Sequence, residues 1–295
     1  MGNRLVYYFF ILPISVLPYF GLYLLSDITF LVLFQMLGYR KKVVFRNLKN
    51  SFPKKSDKEL HVIMEKFFRH FCDLIVEGLK GFTISEKQLN QRMTARNPEV
   101  LNRFFDEGKD VILVGGHYNN WEILASGIGL TTKLLPIGIY KPLSNEYFDR
   151  KMKSSRERYR LLMCPMNETR EFLEKDFGIP KVTIFGIDQS PSNTKRCHWM
   201  TFLNQDTPVF FGAEKYAVEL NSPVVFGTIH KVKRGFYELE YEVLCETPME
   251  TANGEITEMN TKRLEKDIIK KPEFWLWTHR RWKHKRPEAL QQSRI

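Results

Sequence analysis

The chain has 295 residues, 45 lysines and arginines against 34 aspartates and glutamates, and a formal charge of +11. That length holds one large α/β domain with an attached segment and a full core, and the basic balance favours anionic partners: nucleic acid, phospholipid headgroups or an acidic carrier protein. Cys72, Cys164, Cys197 and Cys245 form neither a CxxC pair nor a zinc-ligand spacing, which argues against a disulfide framework and a metal knuckle and for a reducing compartment.

Residues 5–25, LVYYFFILPISVLPYFGLYLL, carry no charge, and the continuation to Tyr39 carries only Asp27. About 20 apolar residues let a helix cross the hydrocarbon core, so residues 1–39 are expected to form a membrane anchor. The segment lacks a cleavage site of the A-x-A kind, which favours a retained anchor over a removable signal. Pro13 and Pro18 interrupt a helix and leave open a re-entrant or interfacial arrangement. Arg40, Lys41, Lys42 and Arg46 follow as a basic collar, expected on the cytoplasmic side against an anionic membrane surface. Residues 40–295 are then a cytoplasmic domain.

Within residues 56–80, Leu60, Ile63, Phe67, Phe68, Phe71 and Leu74 recur at helical spacing after a capping-box pattern of Ser56 and Glu59, the mark of a core helix. Downstream, DVILVGG (110–116), LLPIGIY (134–140), KVTIFGID (181–188) and SPVVFGTIH (222–230) read as short buried strands. Helical stretches near 120–130, 145–160, 169–177 and 210–221 separate them. The alternation predicts an α/β fold with a mixed, largely parallel sheet flanked by helices. FYELEYEVL (236–244) alternates apolar and acidic residues, as a half-exposed strand near an edge does.

The feature that carries chemistry is GGHYNNWE (115–122), at the junction between a strand and an apolar helical run. Ligand sites of α/β sheets favour that place. On one continuous helix His117 and Glu122 would be separated by about 140° of arc. With His117 in the turn and Glu122 in the first helical turn they converge, and Gly115 and Gly116 give the turn its freedom. An imidazole takes a proton from a hydroxyl near neutral pH, and a carboxylate beside it fixes its tautomer and stabilises the imidazolium. With no nucleophile of its own, such a pair acts on a substrate hydroxyl. Spacing alone leaves open an ordinary loop histidine beside a helix-start glutamate.

GGHYNNWE resembles the HxxxxE/D motif of the lysophospholipid acyltransferase superfamily, and its surroundings are similar to the bacterial lipid A late-acyltransferase branch of lauroyl and myristoyl type. RKKVVFRNLKNSFP (40–53), GIDQSP (186–191), TPVFFGAEKYAVELNSPVV (207–225) and PEFWLWTHRRWKHKRPE (272–288) follow in the family's order, so the resemblance spans nearly the whole chain. It implies a glycerolipid acyltransferase-like fold at the cytoplasmic face of a bacterial inner membrane. His117 would be the base and Glu122 its partner, with an acyl carrier protein thioester as donor, a lipid A precursor hydroxyl as acceptor, and no metal or organic cofactor. The family's downstream arginine falls within SSRERYR as Arg156 or Arg158, placed to hold an acceptor phosphate or the developing oxyanion. Asp188 and Gln189 match the family's DQ block and are expected to position the substrate or His117.

Two features qualify this. Residues 192–207, SNTKRCHWMTFLNQDT, replace a glycine-containing loop of many relatives, so the rim of the pocket is expected to differ; an aminolipid or another glycolipid is the alternative acceptor. HRRWKHKR (279–286) combines five basic residues with Trp282, which suits a phosphate-rich interface. It forms no RNA-recognition, KH or zinc-finger signature, and no nucleic-acid partner is expected. Outside the family, a non-catalytic membrane-anchored binder of lipid or nucleic acid and a hydrolase are the competing readings.

Overall fold

A computed structural model describes residues 2–194 and 197–287. Residues 195 and 196 of the loop after Asp188, and the end of the 40–295 domain, lie outside the described residues.

Seven strands form the main sheet: β1 (Met93–Ala95), β2 (Val111–Gly115), β3 (Leu135–Tyr140), β4 (Leu162–Pro165), β5 (Lys181–Gly186), β8 (Val224–Lys233) and β9 (Phe236–Cys245), in the order β1-β9-β8-β2-β5-β3-β4. Residues 111–114 of β2, VILV, are buried without interruption, as a central strand covered on both faces requires. β2 runs parallel to β5 and β8, and β3 parallel to β4 and β5; β9 turns back antiparallel to β8. β9 buries Tyr237, Leu239 and Tyr241 and turns Glu238, Glu240 and Glu242 outward. It lies one strand in from the edge, because the short β1 pairs with it.

β6 (Cys197–Phe202) and β7 (Gln205–Phe210) form a separate antiparallel hairpin in the region where only a loop is expected from the sequence. Its two-residue turn sets both Leu203 and Asn204 in the left-handed region, the geometry that tight hairpins use. The helix Asp57–Lys80 carries the expected capping box and buries Leu60, Phe67, Phe68 and Leu74. The sequence reading also misses the helix Glu255–Lys270, whose Ile256, Asn260, Leu264 and Ile268 make a buried stripe four residues apart.

Residues 5–25 are not one continuous span. The helix ends at Val16, Leu17 and Pro18 are extended, and a new helix starts at Tyr19. The proline at position 18 has no N–H to continue the ladder, and its ring disfavours helical geometry at Leu17. Among the described residues, the stretch long and apolar enough to cross a membrane is Tyr19–Met36, with mean hydropathy 1.5 and 17% of its residues buried. It lies along the helix Asp57–Lys80 through polar contacts as well as apolar ones. Ser26 donates to Asp73 (2.8 Å) and Tyr23 to Glu77 (2.9 Å), Lys80 donates to the Leu17 carbonyl, and Asp27 pairs with Arg234 (2.7 Å), which also holds Asp73.

Candidate active site

The parallel pairing of β2 with β5 sets Gly115 opposite Gly186. Two residues beyond these glycines come His117 and Asp188, so the register brings the two side chains together at the carboxyl ends of adjacent strands. His117 Nδ1 lies 2.7 Å from Asp188 Oδ1, and the His117 main-chain N–H donates to Oδ2 at 2.8 Å. The indole N–H of Trp275 donates to the same Oδ2 at 2.7 Å. Close approach explains two glycines. A Cβ on Gly116 would stand 2.6 Å from Leu264 and 3.2 Å from Asp188 Oδ2, and one on Gly186 would stand 3.3 Å from the imidazole.

After His117 the chain pairs with the segment near Trp275: the Asn119 N–H donates to the Phe274 carbonyl and the Leu276 N–H to the His117 carbonyl. Asn119 then turns through the left-handed region, and Asn120 caps the helix Trp121–Gly127 by accepting from the Ile123 N–H. The same Asn120 amide donates to Glu77. His117 therefore sits in the turn and Glu122 in the first helical turn, as the sequence predicts.

The expected bond between them is not formed. Arg156 Nη2 donates to both oxygens of Glu122, at 2.9 and 2.7 Å, and Trp121 Nε1 donates to Oε1 at 3.1 Å. Glu122 makes no hydrogen bond to His117. The carboxylate bonded to His117 is Asp188, because it projects in register from the neighbouring strand, while the turn at Asn119 directs Glu122 toward the helix Glu146–Arg156.

Burial by itself would push the His117 pKa down, but the charge of Asp188, its hydrogen bond and then the charge of Glu122 outweigh burial and opposing Arg156, so the imidazole titrates above its ordinary value. Burial would raise Asp188; the charge and hydrogen bond of His117, the Trp275 indole and the His117 main-chain N–H instead hold it down to about 2. The net result is an ionised Asp188 fixing the proton on His117 Nδ1 and leaving Nε2 as the basic atom.

Gln189 also reaches His117: its Nε2 stands 3.0 Å from His117 Nε2. Arg158 is elsewhere, donating to the Gly81 and Ile84 carbonyls beyond the helix Asp57–Lys80. The carboxy-terminal run is not a uniformly solvated basic face. Arg281 is buried, His279 Nε2 accepts from the Ser190 N–H and Arg286 pairs with Asp206, while Arg280, Lys283 and Lys285 are exposed. Among the described residues no group of three or more His, Cys, Asp or Glu side chains is placed to hold a metal ion. His198 bonds Glu258, and the Cys197 thiol faces the Thr194 carbonyl.

The profile of the family described as bacterial lipid A biosynthesis acyltransferase matches residues 3–284. The chain belongs to that family. It is 22% identical over 294 residues to the lipid A biosynthesis lauroyltransferase of Escherichia coli (strain K12), covering 93% of this chain and 89% of the relative. It is 23% identical over 253 residues to the lipid A biosynthesis palmitoleoyltransferase of the same organism and to a lipid A biosynthesis acyltransferase of Shigella flexneri, in each case covering 84% of this chain and 80% of the relative.

A member of an acyltransferase family needs room for an acyl chain. A cavity of about 310 Å³ opens next to the Glu122–Arg156 pair, walled by Tyr19, Phe71, Leu74, Phe82, Ile123 and Met152. It is about twice the roughly 150 Å³ of an engineered apolar cavity that binds benzene. Trp121 joins the two regions, since it lines the cavity and its ring stands 5.1 Å from that of His117. The sequence reading missed Trp275 and Asn120 as supports of the site. Trp275 lies 87 positions from the carboxylate it holds, and no local pattern marks it; Asn120 is visible as a helix-capping residue type just before the apolar run.

Arg156 offers a test of local packing. Its contact, from Nη2 alone to both oxygens of Glu122, is charge-assisted, and its side chain is 15% exposed against 32% for Glu122. Arg156→Met is expected to cost about 1.5–3 kcal/mol of stability. Thermal denaturation checks this: the variant midpoint should fall, and an unchanged midpoint would show that the pair contributes nothing to the fold.

Proposed function

We propose that this protein transfers a fatty acyl chain from an acyl carrier protein thioester to a hydroxyl of a lipid A precursor at the cytoplasmic face of a bacterial inner membrane. The observation that carries the reading is His117 held by Asp188 with its Nε2 directed away, beside an apolar cavity, in a member of this family. The acceptor hydroxyl gives its proton to His117 Nε2 as its oxygen attacks the thioester carbonyl. Asp188 keeps the imidazole in the required tautomer and stabilises the imidazolium. When the tetrahedral intermediate collapses, the carbon–sulfur bond breaks and the thiolate takes the proton from His117.

Glu122 acts in this reading through Arg156, which it holds at the cavity mouth. Arg156 gives Nη2 to Glu122 and lines the cavity, which places its guanidinium to meet the oxyanion or a phosphate of the acceptor. The acyl chain lies in the cavity between the helix Asp57–Lys80 and the helix Trp121–Gly127. The exposed apolar side chains of the amino-terminal helices, among them Phe9, Phe10, Phe20, Leu24 and Met36, face the bilayer, with Lys41 and Lys42 near its headgroups. The relatives' names carry lauroyl and palmitoleoyl groups, and a chain of that class suits an apolar cavity.

The experiment is turnover by the purified protein with an acyl carrier protein thioester and a lipid A precursor, read by lipid mass spectrometry. The expected product is the acceptor heavier by one acyl chain. Transfer to an aminolipid with none to the lipid A precursor would replace the acceptor, and no acyl transfer to either would overturn the reading.

A further inference from the structure

The atom that must accept the proton is already occupied. With Asp188 on Nδ1, the free lone pair of His117 is on Nε2, and the carboxamide of Gln189 donates to it at 3.0 Å. The hollow bounded by His117, Asp188, Gln189, Trp275, Leu276 and His279 is too tight to admit a water molecule in this arrangement. Gln189 differs from its neighbours in how it is held. Asp188 is fixed by three hydrogen bonds, and the Ser190 N–H is tied to His279 at 3.0 Å. The Gln189 side chain is exposed, and among the described residues its bond to His117 is its one side-chain hydrogen bond. The backbone is anchored on both sides while the carboxamide is free to swing by rotation about its own side-chain bonds, a fast motion for an exposed residue.

We infer that Gln189 is a displaceable cap on the base, standing where the acceptor hydroxyl must come and denying His117 to water until the acceptor arrives. The inference rests on the acyl-transfer reading above and adds what keeps that reaction from becoming hydrolysis. Water and a lipid hydroxyl have the same chemistry at this site. Either gives its proton to Nε2 and attacks the thioester carbonyl; the carbon–sulfur bond breaks and the thiolate leaves with the proton from the imidazolium. Water yields a free fatty acid, and the lipid yields an ester.

The difference lies in what each brings to displace the cap. A neutral hydrogen bond of this kind corresponds to roughly a two- to tenfold bias. A lipid acceptor has remote contacts that offset such a bias, and a lone water has none. Gln189 is therefore a positioning residue that sets the partition between transfer and hydrolysis.

The test uses full-length protein, acyl carrier protein thioester with and without lipid acceptor, and the Q189A and Q189E variants. For Q189A the expected result is a roughly two- to tenfold rise in free fatty acid release without acceptor, with a lower acceptor KM and an unchanged melting midpoint. For Q189E, whose carboxylate pairs with the imidazolium, the acceptor KM is expected to rise and the ascending, low-pH limb of the rate profile to move to higher pH. A Q189A variant that hydrolyses no faster than the native protein and loses transfer through kcat alone would overturn the inference. That outcome leaves acyl transfer itself intact, whereas native turnover that survives loss of His117 would overturn the reading beneath it.

Discussion

Removal of the His117 imidazole, in a His117→Ala variant, is expected to lower kcat for acyl transfer by on the order of 100-fold or more. The reason is confined to one atom. Asp188 takes Nδ1, so Nε2, which faces Gln189, is the basic position, and among the described residues no second imidazole bonds Asp188. His279 lies nearby, but burial pushes its pKa below the ordinary value, and its Nε2 accepts from the Ser190 N–H. It cannot take over without breaking that bond. Single-turnover measurement with preformed acyl thioester isolates the chemical step, and a variant that retains native melting behaviour and near-native rate would refute a general base at position 117.

Asp188→Asn is expected to produce a loss of similar or greater size, on the order of 100- to 10,000-fold, by analogy with the same substitution in serine protease triads. An asparagine amide facing Nδ1 favours the tautomer with its proton on Nε2, which leaves no lone pair to accept the hydroxyl proton. The pH dependence separates this residue from Glu122. Because the His117 pKa lies above 6.5, native kcat/KM should rise with pH through a midpoint above 6.5, as the base loses its proton. The neutral amide removes the largest stabiliser of the imidazolium, so whatever activity remains should show its midpoint at lower pH.

Stability runs the other way. Protonated His117 contributes fully below about 6.5, and that contribution fades as pH rises through the raised folded value. From the partner's side, Asp188 is held down to about 2 from 3.8; its contribution is present above 3.8 and is lost as pH falls toward 2. Glu122→Gln should leave the midpoint of the rate profile nearer the native one, since Glu122 acts on His117 only through space. A larger displacement from Glu122→Gln than from Asp188→Asn would reverse the assignment of the orienting carboxylate.

The strands that build the site were legible because burial writes itself into composition. Residues 111–114, VILV, are an unbroken apolar run, KVTIFG is apolar from Val182 to Phe185 but for Thr183, and a histidine just after the first of them is a local signal. The pairing of His117 with Asp188 is not local. It depends on β5 lying beside β2 with Gly186 opposite Gly115, a fact of sheet order that no window of sequence contains. Glu122 was the nearer carboxylate in sequence, and nothing in its spacing tells that Arg156 takes both its oxygens.

Other misses have equally physical causes. The stripe of the helix Glu255–Lys270 is interrupted by buried Asn260, which weakens the apolar period. The β6–β7 hairpin turns on Leu203 and Asn204, where the usual glycine signal is missing, and β7 contains Pro208, which reads as a strand breaker.

The amino-terminal helices have a bearing on how the polypeptide can be divided. A cut between positions 39 and 40 looks natural on paper, since composition changes there from oily to basic. Yet Asp73, Glu77 and Arg234, all on the far side of that cut, have bonding partners on the near side: Ser26, Tyr23 and Asp27. A shortened polypeptide would lose those partners together with Tyr19, one wall of the cavity beside Glu122. The apolar helices are thus built into the body that carries His117 as masonry is built into a corner, and the two come as a single piece.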